Sequence, residues 1–153
     1  MTKLAEALIL RADAQKRLAQ LRGRLLRVST VQDGETPVED PQVLLRNIEQ
    51  TSSTLLDLIQ RINQTNSQTA FGQDGTLADA LAQRDILSQR AGVYRQLAEQ
   101  ASATNVRYSL SEIKMVPTVE VQDMQRQADQ LAIEYRELDA SIQAANWAVD
   151  IVE

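Results

Sequence analysis

Apolar residues recur every three to four positions over four long stretches of the chain, and each stretch predicts an amphipathic helix. Over residues 3–28 the row is Leu4, Ala7, Arg11, Ala14, Leu18, Leu21, Leu25 and Val28, a repeat of seven. Gly23 falls on the opposite face, where it costs the helix up to about 1 kcal/mol. Residues 29–40 are polar and read as a loop. Asp40 before Pro41 is a helix start: the carboxylate caps free amides, and proline suits the first turn because its missing N–H is not needed there. The second helix is expected from Pro41 to about Asn63, on Leu44, Ile48, Thr51, Leu55, Leu58, Ile59 and Ile62. Residues 64–75 read as a loop closed by the turn pair Asp74-Gly75, with Phe71 expected to plug the end of the core. Thr76 caps a third helix from Leu77 to about Ala103, on Leu77, Ala80, Arg84, Leu87, Ala91, Tyr94, Ala98 and Ala101. Its small residues call for a close neighbouring helix. Val106, Tyr108, Leu110, Ile113 and Met115 alternate with polar residues, so residues 105–117 are expected to form a short extended connection. The last helix is expected from near Thr118 to about Val149, on Val121, Met124, Ala128, Leu131, Tyr135, Leu138, Ile142, Ala145 and Val149.

Composition supports the same picture. Aromatics are 3% of the 153 residues, with 5 Gly and 3 Pro, which favours helices over a sandwich or barrel. There is no cysteine and no histidine. That removes disulfides, thiolate or imidazole metal ligands, cysteine nucleophiles and Ser-His-Asp triads. The net charge of −5 is unevenly spread: residues 1–28 hold seven basic and two acidic residues, and the other 125 hold nine basic and nineteen acidic. A basic helix beside acidic helices of its own fold, or of a second copy, accounts for this. The overall acidity opposes nucleic-acid binding. No stretch reaches the ~20 apolar residues that span a bilayer, and residues 4–10 lack the length and cleavage site of a signal peptide. A cytoplasmic location is expected.

The two halves resemble each other. Leu4-Ala5-Glu6-Ala7-Leu8 followed by Arg11 matches Leu77-Ala78-Asp79-Ala80-Leu81 followed by Arg84, and the segment from Leu56-Asp57 to Asn63 matches that from Leu138-Asp139 to Asn146. The expected fold is therefore all-α: four long helices as two αα-hairpins, residues 1–66 and 74–149 of a single domain over 1–153, related by a pseudo-two-fold repeat and packed as a four-helix bundle. Arg11 and Arg84 then occupy core-facing positions. A buried guanidinium needs a partner, and Asp57 and Asp139 are the candidates, with Asn63 and Asn146 completing a polar layer and Asp13 and Asp85 as local alternatives. This network either fixes helix register or, through the planar forks of the two arginines, holds a small anion.

Other chemistry finds little support. A di-iron bundle needs Glu-x-x-His pairs. No phosphate-cradling glycine loop, dinucleotide fingerprint or calcium loop occurs. Ser109, Ser111 and Lys114 make only a weak Ser/Lys arrangement. No catalytic, metal or cofactor-binding residue is expected, and no cofactor. Tyr108 and Trp147 are expected to act as packing or interface anchors.

Several strings resemble a family of small bacterial proteins described as septicolysin-like, after a proposed haemolysin. These are Lys3-Leu4-Ala5-Glu6-Ala7-Leu8, Arg61-Ile62-Asn63 with Thr65-Asn66, Leu81-Ala82-Gln83-Arg84-Asp85, Ser111-Glu112-Ile113-Lys114 with Pro117-Thr118-Val119, and Glu137-Leu138-Asp139 through Asn146-Trp147. The resemblance runs through nearly the whole chain. It implies a compact, helical, oligomeric protein, and its label implies membrane lysis; it carries over no functional residue. The expected role is that of a non-enzymatic, self-assembling helical protein: a homo-oligomer, a dimer or higher, with a hexamer among the alternatives. A membrane-active protein and a small-anion binding module are the competing readings.

Overall fold

The computed structural model describes residues 1–103 and 114–153. Four helices dominate it: α1 (Leu4–Arg27), α2 (Pro41–Gln68), α3 (Leu77–Ala103) and α4 (Val121–Ala148). Among the described residues the chain is all-α, with one two-stranded antiparallel ribbon, β1 (Ala70–Phe71) and β2 (Gly75–Thr76). Its contacts gather into two compact units, residues 1–69 with 145–153, and residues 70–144.

In the first unit α1 packs on α2. The inward row of α1 is the expected one: Leu4, Ala7, Leu21 and Val28 are buried, and Ala14, Leu18 and Leu25 are half-buried between them. Leu21, Val28 and Leu44 form a core cluster with Leu25 and Ile48 against it. Pro41 opens α2, and the Asp40 carboxylate accepts from the Gln42 amide at 2.9 Å. This is the cap that the Asp-Pro pair predicts.

α2 runs five residues past its expected end. The polar residues expected to stop it instead bond back along it. The hydroxyls of Thr65, Ser67 and Thr69 donate to the carbonyls of Arg61, Asn63 and Thr65 at 2.7–2.9 Å. Thr65 is buried, and its hydroxyl also accepts from the Val152 amide at 3.0 Å. The C-terminal segment thus holds the last turns of α2 in place. It also pairs with the start of the chain: the Leu4 amide donates to the Val149 carbonyl and the Ile151 amide to the Thr2 carbonyl, both at 2.9 Å. Lys3 Nζ lies 2.9 Å from Asp150, and Arg61 Nε donates to the Val152 carbonyl at 2.8 Å. Ile151 is buried.

The second unit opens on the ribbon, which lies within residues 64–75 where a loop is expected. Gly72, with a φ of +71°, turns the chain between its strands. Phe71 is half-buried. Thr76 then caps α3, as expected: its amide donates to Asp79 Oδ2 at 2.9 Å, and the Asp79 amide donates to Thr76 Oγ1 at 3.3 Å, a reciprocal capping box. Leu87, Ala91 and Leu131 form the core of this unit, with Tyr94, Tyr135 and Leu138 packed against it. α4 starts at Val121, three residues later than expected. Residues 114–117 lie outside any strand; the rest of the expected extended connection, with Tyr108, Ser109 and Ser111, lies outside the described residues.

Candidate functional site

The structure brings one expected arginine–carboxylate pair together and leaves the other apart. Arg84, on the inward row of α3, donates from Nη1 to Asp139 Oδ1 of α4 at 2.7 Å, and both side chains are largely shielded. Arg11 holds the matching place on α1, half-buried, and makes no ion pair among the described residues. Asp57 is 65% exposed and lies 3.5 Å from Arg61 one turn along its own helix. Asn63 is exposed and Asn146 is buried. The expected six-residue polar layer is therefore corrected to a single Arg84–Asp139 pair.

The reason is register. The inward positions of α1 recur in α3 73 residues later, as the sequence suggests. Those of α2 recur in α4 80 residues later: Leu44, Ile48, Thr51, Leu55, Leu58, Ile62 and Thr65 correspond to Met124, Ala128, Leu131, Tyr135, Leu138, Ile142 and Ala145, all buried or half-buried. In that register Asp139 corresponds to Ile59, and Asp57 to Glu137. Arg11 thus has an isoleucine at the position corresponding to its sister's carboxylate.

Electrostatics elsewhere are local. Arg24 grips both carboxylate oxygens of Glu39 through its guanidinium; that bonding, with the arginine's charge, holds the Glu39 carboxyl below its ordinary value. The Asp79 carboxyl is lowered by its bonds from the Thr76 backbone and hydroxyl. On α1, Lys16, Arg17 and Arg22 have no ion pair among the described residues. No group of three metal-binding side chains occurs among the described residues.

Apolar residues remain on the surface. Trp147 is 57% exposed. On α3, Ile86, Val93 and Leu97 are exposed and recur at spacings of seven and four. At 100° per residue, this second row lies about a third of a turn from the core row. The corresponding positions on α1 are Asp13, Gln20 and Arg24, so sister helices with matching inner rows differ on this face. This second row lies outside the single inward stripe that defines each helix; the seven-residue spacing of Ile86 and Val93 is its visible signal in the sequence.

Fold and site together define a protein of two helical hairpins with, among the described residues, one inter-helix ion pair and a surface apolar row. The chain belongs to a family of unknown function, DUF6847, whose model matches residues 11–151. It is similar to a functionally unknown conserved protein from Corynebacterium diphtheriae, known from a crystal structure: 43% identity over 99% of both chains, with a TM-score of 0.94. Neither description carries the septicolysin label. No curated protein matches the chain significantly.

Proposed function

We propose that this protein is a non-enzymatic, self-associating helical protein whose partner is a second copy of itself. The observation that carries this reading is the exposed row Ile86, Val93 and Leu97 on α3. The first hairpin supplies the comparison: α1 keeps the matching inner row with polar residues at those positions, so the hairpin does not need apolar residues there. Apolar side chains at heptad spacing suit docking of another helix. Charge favours a second copy as the occupant. Lys16, Arg17 and Arg22 have no ion pair among the described residues, and the 125 residues after residue 28 carry nineteen acidic side chains against nine basic, so each copy brings both signs. The lack of histidine and cysteine narrows the catalytic chemistry open to the chain and favours a non-catalytic role.

Light scattering across protein and salt concentrations tests this. The expected mass is a small integer multiple of 17.1 kDa that persists on dilution. Val93→Glu, at an exposed position, is expected to lower the mass while leaving the helical circular dichroism intact. A wild-type monomer at about 100 μM, a concentration at which even weak association with micromolar Kd is saturated, would overturn the reading. The septicolysin resemblance adds membrane permeabilisation as the alternative. No helix among the described residues is long and apolar enough to cross a membrane, and vesicles at micromolar protein are expected to retain their dye.

A further inference from the structure

A groove of about 540 Å³ runs along α3 and α4 in the second unit, within the size range of small-molecule sites. Its apolar lining comes from Ala91, Ala132 and Ile133; two guanidiniums, Arg95 and Arg136, stand on it, one from each helix. Ser88 and Tyr135 also line it, and Asp129 is the one acid in the lining. Carboxylates lie near both arginines. Arg95 has Asp129 across the groove and Glu99 one turn along its helix, and Arg136 has Asp139 three residues on. Neither arginine makes an ion pair among the described residues, and Asp139 is taken by Arg84.

The first hairpin again shows what the fold requires. In the same registers Ala91 corresponds to Leu18 and Ala132 to Ser52, while Arg136 corresponds to Leu56 and Arg95 to Arg22. The second hairpin has thus exchanged a leucine for an alanine at the groove floor and gained a second guanidinium at its rim. Ala91 also belongs to the core cluster, where Leu131 and Tyr135 replace the smaller Thr51 and Leu55 of the first hairpin and match the lost volume; the exposed Arg136 has no part in that core. An apolar floor beneath two planar forks suits a ligand with a carboxylate or phosphate head on a short apolar body. With one acid among two cations, the lining matches a single negative charge.

We propose that this groove binds an amphipathic organic monoanion, with Arg95 and Arg136 holding the head group and Ala91, Ala132 and Ile133 the apolar part. The site lies on different residues from the apolar row of α3 and does not depend on self-association.

The test follows thermal unfolding and calorimetric binding of the full chain with octanoate, with octanol and inorganic phosphate as single-property controls. Octanoate is expected to raise the melting temperature saturably, by mass action on the folded state, and to bind at least about tenfold more tightly than either control. The exposed double variant Arg95→Gln/Arg136→Gln is expected to melt as wild type without ligand and to lose the octanoate response. Lys16→Gln/Arg17→Gln, which removes the same charge elsewhere, is expected to keep it. An unchanged response in the first double variant, a lost response in the second, equal binding of octanol, or no saturable binding of octanoate each overturns the proposal. A phosphate response equal to that of octanoate would likewise overturn it, by showing that the apolar floor contributes nothing.

Discussion

Arg84 and Arg11 are the same residue type at the same place in sister helices, and they differ in what stands opposite. Arg84 meets Asp139 at 2.7 Å with both side chains mostly shielded, so removing either partner strands a partly desolvated charge. Arg84→Ala is expected to lower stability by about 1–2 kcal/mol, between the range for exposed ion pairs and that for hydrogen bonds to charged groups. Arg11→Ala, with no ion-pair partner among the described residues to strand, is expected to stay within about 0.5 kcal/mol of wild type. Urea denaturation of the two variants checks the contrast, and a double-mutant cycle with Asp139→Ala isolates the pair. Equal effects at the two arginines would show that the ion pair contributes nothing specific. The sequence made both arginines visible as polar interruptions of an apolar row. It pointed to Asp139 for Arg84 and misled at Asp57, because the two aspartates sit in similar short strings that occupy different registers of their helices.

Helix starts were legible wherever a cap carries its own signature. Asp40-Pro41 and Thr76 open α2 and α3 where the sequence placed them, because an oxygen that accepts from free amides is a local chemical requirement. The end of α2 was not legible, because the contact that secures it comes from the backbone of Val152, far along the chain. The cap of α3 has a pH consequence. The Asp79 carboxyl is lowered by its bonds from Thr76, so it binds a proton less readily folded than unfolded. Its stabilising contribution is fully present above the ordinary carboxylate range near pH 4 and is lost as pH falls through the lowered folded value. Melting curves between pH 6 and pH 3 are expected to fall less steeply for Asp79→Asn than for wild type. Parallel curves would mean that this cap does not contribute to the acid sensitivity of folding.

At the scale of the whole molecule, the repeat is the main guide to what is structural and what is free to vary. The inner rows of the hairpins follow one plan, and the sequence displayed it because core positions obey a period of 3.6. Surface differences between the sisters have no such constraint: three polar residues on α1 against Ile86, Val93 and Leu97 on α3, and Leu56 on α2 against Arg136 on α4. Reading one half against the other turns them into candidate sites, which periodicity alone could not do.

The backbone bond between Thr2 and Ile151 at 2.9 Å, beside the Lys3–Asp150 bridge, makes the chain close to a ring. Its connectivity is then separable from its architecture. A short Gly/Ser linker joining residue 153 to residue 1, with new ends opened in the exposed loop near Gly34 and Glu35, cuts no helix and keeps every pairing of the C-terminal segment. Such a circular permutant is expected to fold with unchanged helix content by circular dichroism, as permutation succeeds where ends lie together and the opened loop is exposed. A permutant that fails to fold would show that the order in which the hairpins leave the ribosome, as well as their final contacts, determines the structure.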